Sequence, residues 1–129
     1  MANLFSKIPD GTLSKSSLRN IREWYACDDP QKIIQEVIFE LANAGEFNEL
    51  NNRFFKTLTF GTGGIRGRTV GDYITMAENG KSPNASPEFP AIGSTCLNHF
   101  NIIRATMSLH KYCKKVMDSQ GHKLLLVVA

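Results

Sequence analysis

The sequence is poor in several features that mark specialised proteins. Its 129 residues include only three cysteines, Cys27, Cys96 and Cys113, and no two of them are spaced as CxxC. An odd number of widely separated cysteines argues against both a disulfide framework and a zinc knuckle. We therefore expect reduced thiols, no metal site built from these residues, and a cytoplasmic location.

Long apolar segments and charge of one sign are also scarce. The opening MANLFSKIPDG contains no continuous apolar run of the signal-peptide kind, and no segment reaches the length of a membrane span. The formal net charge of +3 comes from 15 basic and 12 acidic residues, a balance that favours neither nucleic acid nor an anionic membrane as partner. With 42% hydrophobic residues, the chain suits one soluble domain or a piece of a larger protein.

Apolar residues at helical spacing predict three short helices before the first glycine cluster. The first is expected at about 16–27, where Ser14 and two further serines can cap its start. The third is expected at about 46–57.

The second predicted helix has clear start and stop signals. Asp29 is expected to cap it, Pro30 to occupy its first position, and Gly45 to end it. The pair Asp28-Asp29 could instead belong to a metal site, but the proline that follows favours capping.

The C-terminal third predicts a long helix and then a buried strand. A stripe of apolar residues predicts the helix at about 98–118, with Gly121 at its C-terminal cap. The closing LLLVVA, 124–129, is typical of a strand buried on both faces of a parallel sheet. Such a strand needs neighbours from beyond Ala129, so we expect a piece of a longer protein whose unpaired strand promotes self-association.

Between these elements lies a stretch at about 70–94 with three prolines among Gly, Ser, Asn and Glu. Few apolar residues occur in its centre. It is therefore expected to be an exposed, mobile insert.

The segment 60–67 reads FGTGGIRG, and its four glycines exclude a regular helix. Free backbone N–H groups beside Arg66 and Arg68, with the hydroxyl of Thr62, form the kind of nest that binds anionic oxygens. Phosphate is the expected ligand. The alternative is a flexible turn whose arginines are merely solvated.

Two familiar phosphate motifs do not fit this loop. A P-loop would need GxxxxGK[ST], but the residue five positions after Gly61 is Arg66 and no lysine follows Gly67. A dinucleotide fingerprint would need a glycine at position 66 and a preceding strand, where the pattern predicts a helix.

The histidines and lysines of the C-terminal third carry a weaker signal. His99, His110 and His122 stand at no metal-ligand interval, so a solvated role is expected. The lysines around position 114 are expected to lie on the solvent-exposed face of the long helix.

The stretch Leu50–Arg68 reads LNNRFFKTLTFGTGGIRGR. It resembles the opening of the α-D-phosphohexomutases, the phosphoglucomutase and phosphomannomutase family, in which a helix ending in RF precedes an L-x-F-G-T-x-G-x-R-G loop. The matching loop positions are Phe60, Gly61, Thr62, Gly64, Arg66 and Gly67.

A second segment, LNHFNIIRATMSLHKYCKK at 97–115, resembles the family's M-N-x-Y-x-V-x-R-A-T-Q-G-L-A-x-Y-L. The chain departs from that pattern at Met107-Ser108, and the insert at about 70–94 replaces a shorter connection. These departures bear on which hexose is the substrate.

The resemblance implies an α/β fold in which N-terminal helices precede the start of a three-layer α/β/α phosphohexomutase domain I. It divides the chain into a helical extension, 1–57, and a partial domain I, 58–129, that carries the insert.

The resemblance also implies an activity, the interconversion of hexose 1-phosphate and hexose 6-phosphate through a hexose 1,6-bisphosphate, with a phosphoserine and Mg²⁺. It assigns catalytic roles to Arg66 and Thr62, and a phosphate-binding role to four glycines, Gly61, Gly63, Gly64 and Gly67. The family's serine and metal segments have no counterpart in these residues, so the chain alone is expected to be inactive. The alternative is a non-catalytic module that binds a sugar phosphate or docks a partner.

Overall fold

The computed structural model describes residues 5–82 and 86–121. These residues form a mixed structure, largely helical with one small antiparallel sheet, which agrees with the α/β class at its coarsest level. Contacts divide the chain into two compact units, Met1–Asn98 and His99–Ala129. The predicted domains, 1–57 and 58–129, stay a prediction.

The three predicted N-terminal helices are present as α1, Lys15–Tyr25, α2, Ile33–Asn43, and α3, Phe47–Phe54. Their apolar stripes meet in one core, and the fully buried side chains there are Ile21, Ile34, Val37, Ile38, Leu41, Leu50 and Phe54. Trp24 packs edge-to-face on Phe54 with the ring centroids 5.9 Å apart, a geometry that aromatic pairs favour.

The start of α1 is capped as predicted. The Ser14 hydroxyl accepts a hydrogen bond from the Ser17 N–H at 3.1 Å, which satisfies a donor that the helix itself cannot pair. Asn51 of α3 reinforces this corner, because its amide oxygen accepts from the Ser14 N–H at 2.9 Å and its NH₂ donates to the Thr12 carbonyl at 2.9 Å.

The predicted start of α2 was wrong. The helix begins at Ile33, not at Pro30, because the Lys32 N–H closes a turn onto the Asp29 carbonyl at 3.0 Å and Lys32 adopts a left-handed conformation. The capping carboxylate is nevertheless Asp29, which accepts from the Ile34 N–H at 3.0 Å. Gly45, with φ of 74°, ends the helix as predicted.

The segment at about 70–94 was expected to be exposed, and for several of its residues this was wrong. It contains a short helix, α4, Met76–Asn79, which begins with a capping box between Thr75 and Glu78. Both of these side chains are buried, as are Ala91, Ile92 and Ser94. The prediction of exposure relied on the polar composition, but several of these polar groups are buried because they pair with one another. The mobility of the segment stays a prediction.

One side chain against which this segment is buried is Arg53 of α3, which is fully inaccessible to solvent. Its Nε donates to Glu49 at 2.7 Å, and one Nη donates to Glu78 at 2.5 Å. The other Nη donates to the Tyr73 carbonyl at 2.6 Å. Burial lowers the pKa of the Arg53 guanidinium, but the hydrogen bonds and charges of Glu78 and Glu49 outweigh burial and raise it.

Two glycines pack tightly against Arg53. A Cβ atom at Gly71 would collide with the guanidinium, and one at Gly93 would lie 2.7 Å from the Arg53 carbonyl oxygen. That carbonyl also accepts from the Thr95 N–H at 3.0 Å. Arg53 therefore holds both ends of the segment against α3.

The second unit contains the helix α5, His99–Ser119, which confirms the helix predicted at about 98–118. Gly121 follows it with φ of 72°, as expected of a C-terminal cap. The predicted strand at 124–129 lies outside the described residues, and self-association through it stays a prediction. Among the residues described, none of the helices combines the length and the apolar character needed to cross a membrane.

Candidate anion-binding site

The glycine-rich segment forms a tight hairpin. Strand β1, Phe60–Gly61, pairs antiparallel with β2, Gly64–Ile65, and the turn between them consists of Thr62 and Gly63. Gly64 has φ of 119°, a conformation that a residue with a Cβ atom rarely adopts. The glycines thus let the chain reverse direction within two residues.

The turn leaves backbone donors without protein partners, as predicted. In the described parts of the chain, the N–H groups of Thr62, Gly63 and Gly67 make no hydrogen bond to protein. All three residues are exposed. Unpaired N–H groups within one short loop are suited to binding an anionic oxygen.

A cavity of about 240 Å³ lies on the hairpin. It brings together five of the six predicted site residues, Gly61, Thr62, Gly63, Gly64 and Arg66. The Arg66 guanidinium lies beside the turn, since a Cβ atom on Gly63 would be 3.5 Å from its Nη2.

A larger cavity of about 440 Å³ adjoins the first, and Thr59 and Arg66 line both. The sixth predicted residue, Gly67, lines only this larger cavity. Sequence reasoning missed the cavity, and it also missed Lys56, which lines the wall together with Arg66 and Arg68.

The two arginines of the loop differ in their surroundings. Arg68 donates to Asp72 at 2.8 Å and to Glu49 at 3.1 Å. Burial lowers the pKa of Arg68, but these two carboxylates outweigh burial and raise it. The guanidinium of Arg68, which follows the expected nest, is therefore bound to carboxylates of its own chain.

Arg66 has no such partner. Within residues 5–82 and 86–121 its side chain forms neither an ion pair nor a hydrogen bond. An exposed guanidinium beside unpaired N–H groups is a donor set for phosphate or carboxylate oxygens.

The glycines of this loop have different roles, which substitution should separate. A Cβ atom at Gly67 would lie 2.9 Å from the Leu58 side chain and from backbone atoms of Thr95 and Leu97. We expect Gly67→Ala to lower the free energy of unfolding by about 1–3 kcal/mol, as other overpacked positions do. Gly63→Ala meets only the flexible Arg66 side chain and should change stability by less than about 0.5 kcal/mol.

Urea denaturation of the two variants measures this difference. Equal stability of Gly67→Ala and Gly63→Ala would contradict the packing role of Gly67. Its expected role would then be phosphate binding alone.

The donors at this site do not suit Mg²⁺. They are N–H, guanidinium and hydroxyl groups, whereas Mg²⁺ prefers carboxylate oxygens and water. In the described portion of the chain, no group of three or more His, Cys, Asp and Glu side chains could hold a metal ion. His99 and His110 lie exposed on α5, and His122 lies outside the described residues. A magnesium ion would need ligands from other residues.

In comparisons with known proteins, no family model, no curated protein and no solved structure matches this chain.

Proposed function

We propose that this chain is the N-terminal part of a phosphohexomutase, with residues from 58 onward starting a three-layer α/β/α domain. The enzyme would interconvert hexose 1-phosphate and hexose 6-phosphate. Two observations of different kinds support this proposal. The segment 60–67 carries the family's loop pattern, and the same residues offer free donors around one cavity.

The observation that carries the proposal is the contrast between Arg66 and Arg68. Arg68 is bound to Glu49 and Asp72, while Arg66 is exposed, has no partner among the described residues and lines the hairpin cavity. The resemblance assigns the catalytic role to Arg66, the arginine that the geometry leaves available.

In this proposal the loop acts on charge, not on protons. During phosphoryl transfer negative charge is spread over the oxygens of the moving group, and fixed donors lower the barrier by meeting it there. Arg66 supplies two N–H donors in one plane, which match two phosphoryl oxygens. Thr62 adds a hydroxyl donor and the glycine turn adds backbone N–H groups. The family's phosphoserine and Mg²⁺ would be held by other residues.

The first test compares the 129-residue chain with a longer natural protein that contains it. We expect the longer protein to convert glucose 1-phosphate or mannose 1-phosphate to the 6-phosphate in a coupled assay. The 129-residue chain should show no turnover, because the family's serine and metal segments have no counterpart in it.

Turnover by the 129-residue chain would contradict this division of roles. If the longer protein binds sugar phosphates but converts none of them, the non-catalytic binding module replaces the mutase. A longer protein that neither binds nor converts sugar phosphates would contradict both hypotheses, the mutase and the binding module.

A further inference from the structure

The larger cavity has an unusual charge pattern. Three cationic residues, Lys56, Arg66 and Arg68, line its wall, and among the described residues no Asp or Glu does. Arg68 is neutralised by Glu49 and Asp72. Lys56 and Arg66 form no ion pair with a carboxylate in the described residues. Two unneutralised cations therefore face one volume of about 440 Å³.

The position of Lys56 is defined by its neighbour. Its Nζ lies 5.1 Å from the centroid of the Phe55 ring, and both residues line the cavity. A cation over an aromatic face is attracted by the ring's negative face, which holds the ammonium near it. Lys56 is thus placed at the cavity wall, although its side chain is exposed.

Neutral donors complete the wall. Asn52 and Thr59 are among the lining residues, and their side chains make no hydrogen bond among the residues that the structure describes. Thr95 is a lining residue too, but its hydroxyl already donates to backbone carbonyls, at 2.8 Å to that of Asn52. The free donors, Lys56, Arg66, Asn52 and Thr59, are of the types that bind phosphate oxygens.

We infer that the larger cavity is a second oxyanion site, which takes a phosphate dianion between Lys56 and Arg66. It is separate from the hairpin cavity and shares Arg66 with it. The inference goes beyond the proposed function, since the anion held here is not the group that is transferred. Because one guanidinium serves two cavities, anions in them compete for its donors.

The test is a titration of the ¹⁵N-labelled 129-residue chain with inorganic phosphate, followed by amide shifts at constant ionic strength. The amide signals of Asn52 and Lys56 report on the larger cavity, and those of Thr62 and Gly63 report on the hairpin. We expect both groups to shift. In Lys56→Gln, the Kd read from the Asn52 signal should rise about two- to fivefold, the scale of an exposed charge contact, while the hairpin response stays.

Three further titrations sharpen the result. Lys32→Gln removes an exposed lysine that lines neither cavity, and it should leave both responses unchanged. Arg66→Ala should weaken both. Glucose 1-phosphate in place of phosphate should give the same Lys56 dependence, and the ratio of the two Kd values tells whether the site favours free phosphate or an ester.

An unchanged Kd in Lys56→Gln overturns the second site, as does a phosphate response confined to Thr62 and Gly63. A larger-cavity response that survives Arg66→Ala overturns the sharing of the arginine. None of these results tests the proposed mutase activity, which is tested by the turnover assay.

Discussion

Replacing Arg53 by methionine is expected to lower the free energy of unfolding by about 3–5 kcal/mol, the usual cost of removing one partner from a buried ion pair. Methionine fills most of the volume, but among the described residues it leaves the Glu78 carboxylate without a cation and Glu49 with Arg68 alone. Both are almost inaccessible to solvent, with 3% and 1% of their surface exposed. The Tyr73 carbonyl loses a donor as well.

Urea denaturation followed by the fluorescence of Trp24, the only tryptophan, measures this effect close to its source, since Trp24 packs on Phe54 next to Arg53. Arg19→Met, at an exposed position, is the matched control and should stay within about 0.5 kcal/mol of wild type. A loss below about 1 kcal/mol in Arg53→Met would show that the cluster is not what holds the segment to α3.

A double variant separates charge from packing. If the loss in Arg53→Met comes from uncompensated carboxylates, adding Glu78→Gln should recover part of it, because one buried negative charge is then removed. Because the pKa of Arg53 is raised, its guanidinium stays charged, and its contribution to the free energy of unfolding is lost only at a very high pH. The effect should therefore not vary with pH across the neutral range.

The buried cluster also reaches the candidate site. Glu49 accepts from the Arg53 Nε at 2.7 Å, from the Arg68 Nη2 at 3.1 Å and from the Asp72 N–H at 3.1 Å. Arg68 follows directly on the loop that carries Arg66. One buried carboxylate thus links the core of the helices to the end of the glycine loop.

Sequence patterns predicted the helices well because helical spacing is a local signal. The stripes of α1, α3 and α5 appeared within about two or three residues of their expected bounds. The start of α2 was missed because it depends on Lys32 adopting a left-handed conformation. Neither the composition nor the spacing around Pro30 indicates that turn.

The insert and the site show where local patterns fall short. The Glu49–Arg53 spacing of i,i+4 is visible in the sequence, but burial of the pair depends on Glu78, 25 residues further along. The larger cavity likewise combines residues from Asn52 to Arg68 with Thr95, which is distant in sequence. Asp72, four residues after Arg68, was the available signal that Arg68 is paired.

In the complete enzyme, assuming the proposed function, Arg66→Ala is expected to lower kcat/KM by about 10²-fold or more, the scale of losing one preorganised donor. The glycine turn brings N–H groups and the Thr62 hydroxyl near the phosphoryl oxygens, and Arg66 is the one charged residue among the described residues that line the hairpin cavity. Water cannot replace such a charge in a closed site. Steady-state kinetics on the hexose phosphate, with the melting temperature of each variant, measure the effect.

Arg66→Lys distinguishes the geometry of the donor from its charge. Lysine keeps the positive charge but lacks the planar pair of N–H groups, so it should recover little activity if Arg66 grips two oxygens at once. Recovery of most of the activity would indicate a purely electrostatic role. Because Arg66 is exposed and has no partner among the described residues, neither substitution should lower the melting temperature. Near-normal kcat/KM in a stably folded Arg66→Ala enzyme would falsify the assignment and make the loop a structural turn.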